Sequence, residues 1–172
     1  YRIVASEVIS QKINPLEKGS VIDLVKKINF GKSNLTNLRN DNVSHIASIT
    51  AQYQEVRDVL LSYQRSFASN GVVMDGRDIG TVIFPNADYK FYITATLEER
   101  TNRRFLELLE QNSELDRNIV KNDINNRDQR DMLRKIAPLA LADDAIEVDT
   151  TFMKIDDVID FIVKYIHKDK KS

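Results

Sequence analysis

The stretch FYITATLEER, residues 91–100, runs from an apolar, β-branched segment straight into a helix start with almost no loop between them. Thr96 and Glu99, three residues apart, have the pattern of a capping box, so the helix begins where the strand ends and runs through Leu106 to about Glu110. A strand that feeds a helix in this way needs a crossover to reach its next parallel neighbour. Two more short apolar runs fit the same scheme. Val72–Met74 follows Gly71 and is closed by Asp75 and Gly76, and Ala145–Val148 ends at Asp149. Helices alternating with buried strands give an α/β class with a parallel sheet, whose ligands bind at the carboxyl ends of the strands.

The helices follow from apolar spacing. Ile3, Val4, Val8 and Ile9 mark a first helix from Tyr1 to Ile13, broken by Asn14, Pro15 and Gly19. Ser20 and Asp23 suggest a capped second helix that buries Val21, Leu24, Val25 and Ile28 and ends near Asn29. Residues 31–42 carry only Leu35 and Leu38 for burial and read as a surface excursion. Val43, Ile46, Ala47, Thr50, Tyr53, Val56, Leu60, Tyr63 and Phe67 step by three and four, which predicts one long helix capped by Gly71. A polar helix from about Arg117 to Ile136, stopped by Pro138, and a closing helix from Ile155 to Ile166 complete the set.

Composition excludes several classes of function. A length of 172 residues predicts a single domain, and 42% apolar with 30% charged residues is a globular balance. Lys+Arg of 25 against Asp+Glu of 26 leaves no overall field to hold nucleic acid or an anionic membrane. The chain has no Cys and two His, His45 and His167, too few for a thiol nucleophile, a disulfide framework or an imidazole metal site. There is no membrane-length apolar run or signal peptide, so a cytoplasmic setting is expected. Tyr1 opens directly into a helix pattern with no cap and no Met before it, which reads as a chain cut at its start.

Chemistry concentrates in two places. In VVMDGRDIGTVIFP, Arg77 and Asp78 stand just beyond an expected strand end, between Gly76 and Gly80. The glycines permit a tight turn beside a ligand, Arg77 offers a fork for phosphate, and Asp75 and Asp78 can serve cations, hydroxyls or arginines. A plain turn with a surface salt bridge is the alternative. Seven of the twelve arginines, Arg100, Arg103, Arg104, Arg117, Arg127, Arg130 and Arg134, lie between 100 and 134, whereas only two lysines, Lys121 and Lys135, lie between 100 and 135. A preference for Arg over Lys suits planar, bidentate phosphate recognition. Arg127, Arg130 and Arg134 share one helix face with Asp131, and on spacing alone a solvated, salt-bridged face is the commoner use of such a run. Gly31-Lys32-Ser33 resembles the end of a phosphate-binding loop, but Lys26 stands where the first Gly belongs and no strand precedes it, so it is rejected. His45 is likewise left out of the site, because no nucleophile lies near it in sequence.

The ordered strings DGRDIGTVIFPNADYKFYITATLEERTNRR, RDQRD, APL and DDAIEVDT resemble the bacterial cytidylate kinase family over nearly the whole chain. The resemblance implies a P-loop nucleoside-monophosphate kinase fold in one domain, 1–172, with a nucleotide-binding excursion at about 14–42 and an arginine-rich lid at about 103–134. It implies transfer of the γ-phosphoryl group of ATP, with Mg²⁺, to CMP or dCMP by a monomer. By it, Arg2 and Arg77 would hold the CMP phosphate. Ser48, Arg57, Asp78 and Arg134 would read cytosine, Arg127 and Asp131 would meet the pentose, and Arg103 and Arg130 would act on ATP and the moving phosphoryl group. Cytosine differs from uracil by an amino donor and an unprotonated ring nitrogen, which Ser, Asp and Arg can discriminate.

Against the family pattern, no phosphate-binding loop occurs, three strands are found where five are expected, and the excursion is short. The chain therefore reads as an N-terminally incomplete family member, inactive by itself. An inactive nucleotide-binding fragment or pseudokinase is the alternative, and an RNA-binding surface on the Arg-rich helix a weaker one. That helix lacks interleaved aromatic residues, which argues against RNA.

Overall fold

The computed structural model describes residues 1–32, 38, 40–109 and 114–169. Among them are helices α1 (Arg2–Ser10), α2 (Lys18–Val25), α3 (Asp41–Thr50), α4 (Gln54–Ser66), α5 (Leu97–Leu109), α6 (Arg117–Leu133) and α7 (Ile155–Asp169), and strands β1 (Phe91–Thr94) and β2 (Ile146–Asp149). Ser33 and Leu35 of the excursion, Glu110 at the expected end of α5 and the last residues of the basic tail lie outside the described residues. The chain divides into two compact units: Tyr1–Phe84 with Gln129–Leu139, and Pro85–Asp128 with Ala140–Ser172. No helix among the described residues is long and apolar enough to cross a membrane.

The first unit is helical. Its core joins Val4 and Val8 of α1, Val21, Leu24 and Val25 of α2, and Val56 and Leu60 of α4. Full burial of each such side chain contributes about 1.5–3 kcal/mol. Ala5, Val43 and Ala47 form a second cluster, in which small residues let α1 lie close along α3. Asn40 caps α3, its Oδ1 accepting from Val43 N at 2.8 Å. The expected cap at Ser20 is corrected. α2 starts at Lys18 behind Glu17, and the Ser20 hydroxyl donates to the Glu17 carboxylate instead.

The long helix expected from Val43 onward is two helices. Tyr53 adopts extended backbone, φ −88° and ψ 120°, and its hydroxyl donates to the Pro15 carbonyl at 2.9 Å. A contact across 38 residues thus fixes the break that the local pattern does not announce. α4 continues as a 3-10 turn, Phe67–Asn70, and Gly71 ends it at φ 82°, the left-handed backbone expected of that glycine.

The expected strand at Val72–Met74 does not form. The sheet of described strands contains β1 and β2 alone, and Val73 is fully exposed. An apolar triplet becomes a buried strand only where neighbours pair with it on both sides. Asp75 is therefore an exposed loop residue rather than the last residue of a strand. Beyond it the chain makes a π-helical turn, Ile79–Ile83, whose Val82 and Ile83 carbonyls accept from Arg65 of α4. A Cβ on Gly76 would stand 2.9 Å from Ile79 Cγ1, so a larger residue there would push the Ile79 side chain aside.

The second unit carries the sheet. β1 and β2 pair in parallel, from Phe91 opposite Ile146 to Thr94 opposite Asp149. α5 follows β1 as the strand-to-helix junction predicts, with Glu99 N donating to Thr96 Oγ1 at 3.3 Å. Lys90, just before β1, is buried, with Nζ bound to both Asp144 oxygens at 2.7 Å and to the Pro85 carbonyl. α7 lays Tyr165 edge-on against Phe91, ring centroids 5.7 Å apart.

Candidate functional site

Asp78 precedes the π-helical turn and is 6% exposed. Two arginines converge on it. Arg57, on the first turn of α4, donates to Asp78 Oδ2 through one Nη and to the Ala51 carbonyl at 3.2 Å through the other, so the break between α3 and α4 helps aim it. Arg134, just past α6, stands with Nη2 3.9 Å from Asp78 Oδ1 and Nη1 3.7 Å from Asp131 Oδ1, and its Nε donates to the Ala137 carbonyl. Ala137 has positive φ, 45°, which turns that carbonyl back toward the arginine's own helix end. Arg77 reaches Asp131 Oδ2 at 3.3 Å.

Burial dominates the electrostatics. The side chains of Arg57, Asp78, Asp131 and Arg134 are each 3–6% exposed. Desolvation, and then the like charge of Arg57, pull Arg134 below its ordinary value, while Asp131 and Asp78 hold it up. Nη2 of Arg134 makes no hydrogen bond. A buried donor left open is one that an incoming acceptor can satisfy.

Ser48 of α3 is 6% exposed and joins this part of the unit through Arg130, whose Nε donates to Ser48 Oγ at 3.0 Å. Two side chains that the sequence reading left out also touch these arginines. The Arg57 guanidinium lies 5.4 Å above the Tyr1 ring, in cation–π range, and burial pushes the Tyr1 phenol up to about 12. His45, set aside in the sequence, stands with Nδ1 3.4 Å from Arg130 Nη2. Its i, i+3 spacing from Ser48 was the available signal. Tyr1, Arg57, Asp58, Val82, Ile83 and Ala137 help line a cleft of about 220 Å³.

Arg77, Asp78, Ser48, Arg57, Arg130, Asp131 and Arg134 are thus gathered in the first unit. Arg2 of α1 belongs to that unit too but donates to the Leu38 carbonyl at 2.7 Å. Arg103 and Arg127 lie in the second unit. Arg103 donates to Thr150 Oγ1 at 3.1 Å, to the Thr150 carbonyl at 2.5 Å and to Glu99, binding α5 to the end of β2. The described residues gather no set of three or more ligating side chains that could hold a metal ion, so they form no Mg²⁺ cage of their own.

An α/β chain whose buried arginines converge on carboxylates fits the class of phosphate-handling proteins. A family model described as cytidylate kinase matches residues 1–168, and the chain belongs to that family. A cytidylate kinase of Caldicellulosiruptor bescii is 35% identical over 187 aligned residues, covering 100% of this chain and 83% of that one. One of Pediococcus pentosaceus is 36% identical, covering 99% and 82%, and one of Fusobacterium nucleatum is 48% identical, covering 76% and 59%. Membership makes the chain a kinase, a phosphotransferase of α/β fold.

Proposed function

We propose that this kinase transfers the γ-phosphoryl group of ATP to CMP or dCMP, in the cytoplasm and as a monomer. The observation that carries the reading is the buried Arg57–Asp78–Arg134 cluster, with one Arg134 donor left without a hydrogen bond. A domain gains little stability from such a cluster, since buried ion pairs barely offset their desolvation, whereas a substrate rich in acceptors gains a pre-built site.

Ser48, Arg57, Asp78 and Arg134 are proposed to read the base. Arg77, with Arg2, is proposed to take the monophosphate. Arg103, Arg127, Arg130 and Asp131 keep the phosphoryl-transfer and pentose roles that the family resemblance implies. Three arginines of the first unit, Arg57, Arg77 and Arg134, pair with two aspartates, Asp78 and Asp131, which holds their donors in place for an anionic substrate. Phosphoryl transfer asks for positioning and charge stabilisation more than for covalent chemistry. Mg²⁺ would be coordinated mostly by nucleotide phosphates and water, as that ion generally is.

The test is steady-state kinetics on Ser48→Ala and Arg57→Ala with CMP and UMP. Each is expected to lower kcat/KM for CMP by about tenfold or more, about 1.4 kcal/mol, and to reduce the CMP-to-UMP ratio. An unchanged ratio in both variants refutes the base-reading assignment, and CMP binding without any turnover in the parent protein favours an inactive nucleotide-binding protein.

A further inference from the structure

The Ser48 hydroxyl has its hydrogen-bonding sense already set. Its proton goes to the His45 carbonyl, Oγ to O 2.9 Å, one turn back along α3. One Oγ lone pair takes the Arg130 Nε proton at 3.0 Å. Arg130 is in turn held by the His45 ring, Nη2 to Nδ1 3.4 Å. Arginine has no acceptor, so this contact is a hydrogen bond when Nδ1 is the accepting nitrogen of that ring. One residue, His45, therefore contributes a backbone acceptor for the Ser48 proton and a ring acceptor for the arginine that caps Ser48.

A hydroxyl has one proton and two lone pairs. With the proton committed and one lone pair occupied, Ser48 Oγ has a single free valence, and that is an acceptor. A hydroxyl that accepts from a cation also donates more strongly, so Arg130 tightens the bond to the His45 carbonyl and discourages the proton from turning toward a ligand. An isolated serine is promiscuous by comparison, because it can rotate to donate or accept as the ligand demands.

Resting on the base-reading role given to Ser48 under the proposed function, we propose that Arg130, anchored by His45, is a specificity-determining positioning residue. It fixes Ser48 Oγ as an acceptor only, and so favours a pyrimidine with an exocyclic amino donor over one with a carbonyl at the same place. An acceptor facing an acceptor leaves both unpaired and desolvated, the situation that yields strong discrimination. This differs from a role on ATP, since it acts on the choice of base and operates without a phosphoryl donor.

Equilibrium binding of CMP and of UMP to the protein, measured by isothermal titration calorimetry without ATP, separates the two roles. In Arg130→Ala the CMP-to-UMP affinity ratio should fall at least fivefold, chiefly because UMP binding improves relative to CMP. Arg130→Lys, which keeps a cationic donor, should retain most of the ratio. His45→Ala should lower it by an intermediate amount, and because His45 is exposed this variant decides the matter if Arg130→Ala does not fold. A ratio within twofold of the parent in both Arg130→Ala and His45→Ala overturns the inference. If Ser48→Ala collapses the ratio while those two do not, the base-reading role stands and the positioning role falls. A parent protein with no preference for CMP over UMP removes both.

Discussion

Asp78→Asn is the most informative single change. It preserves shape and removes one negative charge from between two guanidiniums whose side chains are 5% and 4% exposed. At an effective dielectric of about 20, a unit charge about 4 Å away contributes about 4 kcal/mol of gross attraction, which is the scale of the Arg134 contact at 3.9 Å. Much of that is offset by desolvation in the intact cluster, but the offset is not returned on mutation because Arg57 and Arg134 stay buried. Breaking a buried pair from one side therefore costs about 3–5 kcal/mol, against about 0–1 for an exposed pair. The carbonyl of the introduced amide can still accept from one guanidinium, which places the expected loss near the lower bound, about 3 kcal/mol. For a unit of about 60–100 residues that corresponds to a drop in Tm of roughly 12–24 °C.

The chain has no Trp, so urea unfolding is best followed by far-UV circular dichroism. Asp78→Asn combined with Arg57→Gln removes one of the uncompensated cations. It should be less destabilised than the sum of the two single changes, with a coupling of about 1–3 kcal/mol. A loss below about 1 kcal/mol for Asp78→Asn, or strict additivity in the pair, would refute the reasoning, because it would mean that water reaches the cluster and screens it.

Three further outcomes follow from other parts of the molecule. Leu60→Ala, in the core of the first unit, should cost about 2–5 kcal/mol in urea unfolding, and a loss under about 1 would show that Leu60 is not packed as described. Arg103→Ala should depress kcat with little change in the CMP dissociation constant if its proposed phosphoryl role holds; an equal fall in affinity would move it to the monophosphate site. Asp144 carries an acid signature: its hydrogen bond from Lys90 holds the carboxyl below the usual range, so the stability it contributes is fully present above the unfolded-state value of about 3.9 and is lost as pH falls through the lower folded value. Asp144→Asn should lower Tm at neutral pH and flatten the acid limb of the Tm-against-pH curve, whereas an unchanged limb would exclude this carboxylate as its source.

What was legible in the sequence was local. The β1–α5 junction is set by residues within a few positions of one another, Thr96 and Glu99 among them, and formed as read. The break at residues 51–53 escaped notice because Val43, Ala47 and Thr50 of α3 and Val56 and Leu60 of α4 are all buried, and with Tyr53 between them they keep steps of three and four across it. The Tyr53 bond to Pro15 spans the interruption, and no local pattern encodes a partner 38 residues away. Val72–Met74 failed for the converse reason, since three apolar residues have no preference for a sheet without partners to pair with. Spacing alone left the Arg-rich helix between a solvated face and a functional one, and the family resemblance, rather than periodicity, singled out Arg130 and Arg134. The contacts of Tyr1 with Arg57 and of His45 with Arg130 could not be read from spacing because each joins residues far apart along the chain.

Energetics decides between the two uses of those arginines. A helix that needed only solubility would leave its guanidiniums in water, where an ion pair contributes little and costs little. Arg117 and Lys121 do this, meeting Glu98 with side chains 38%, 41% and 58% exposed. Arg134, a member of the same basic run, is 4% exposed beside aspartates that are themselves 3% and 6% exposed. Replacing such a cluster with apolar residues of similar volume is often neutral or stabilising, so folding alone gives no reason to keep it. The open Arg134 donor points the same way, toward a ligand with spare acceptors. Adding CMP should therefore raise the urea midpoint of the parent protein, and should raise it much less in Arg134→Met even if that variant is more stable when free. Equal CMP-dependent shifts in the two proteins would mean that the buried cluster is structural after all.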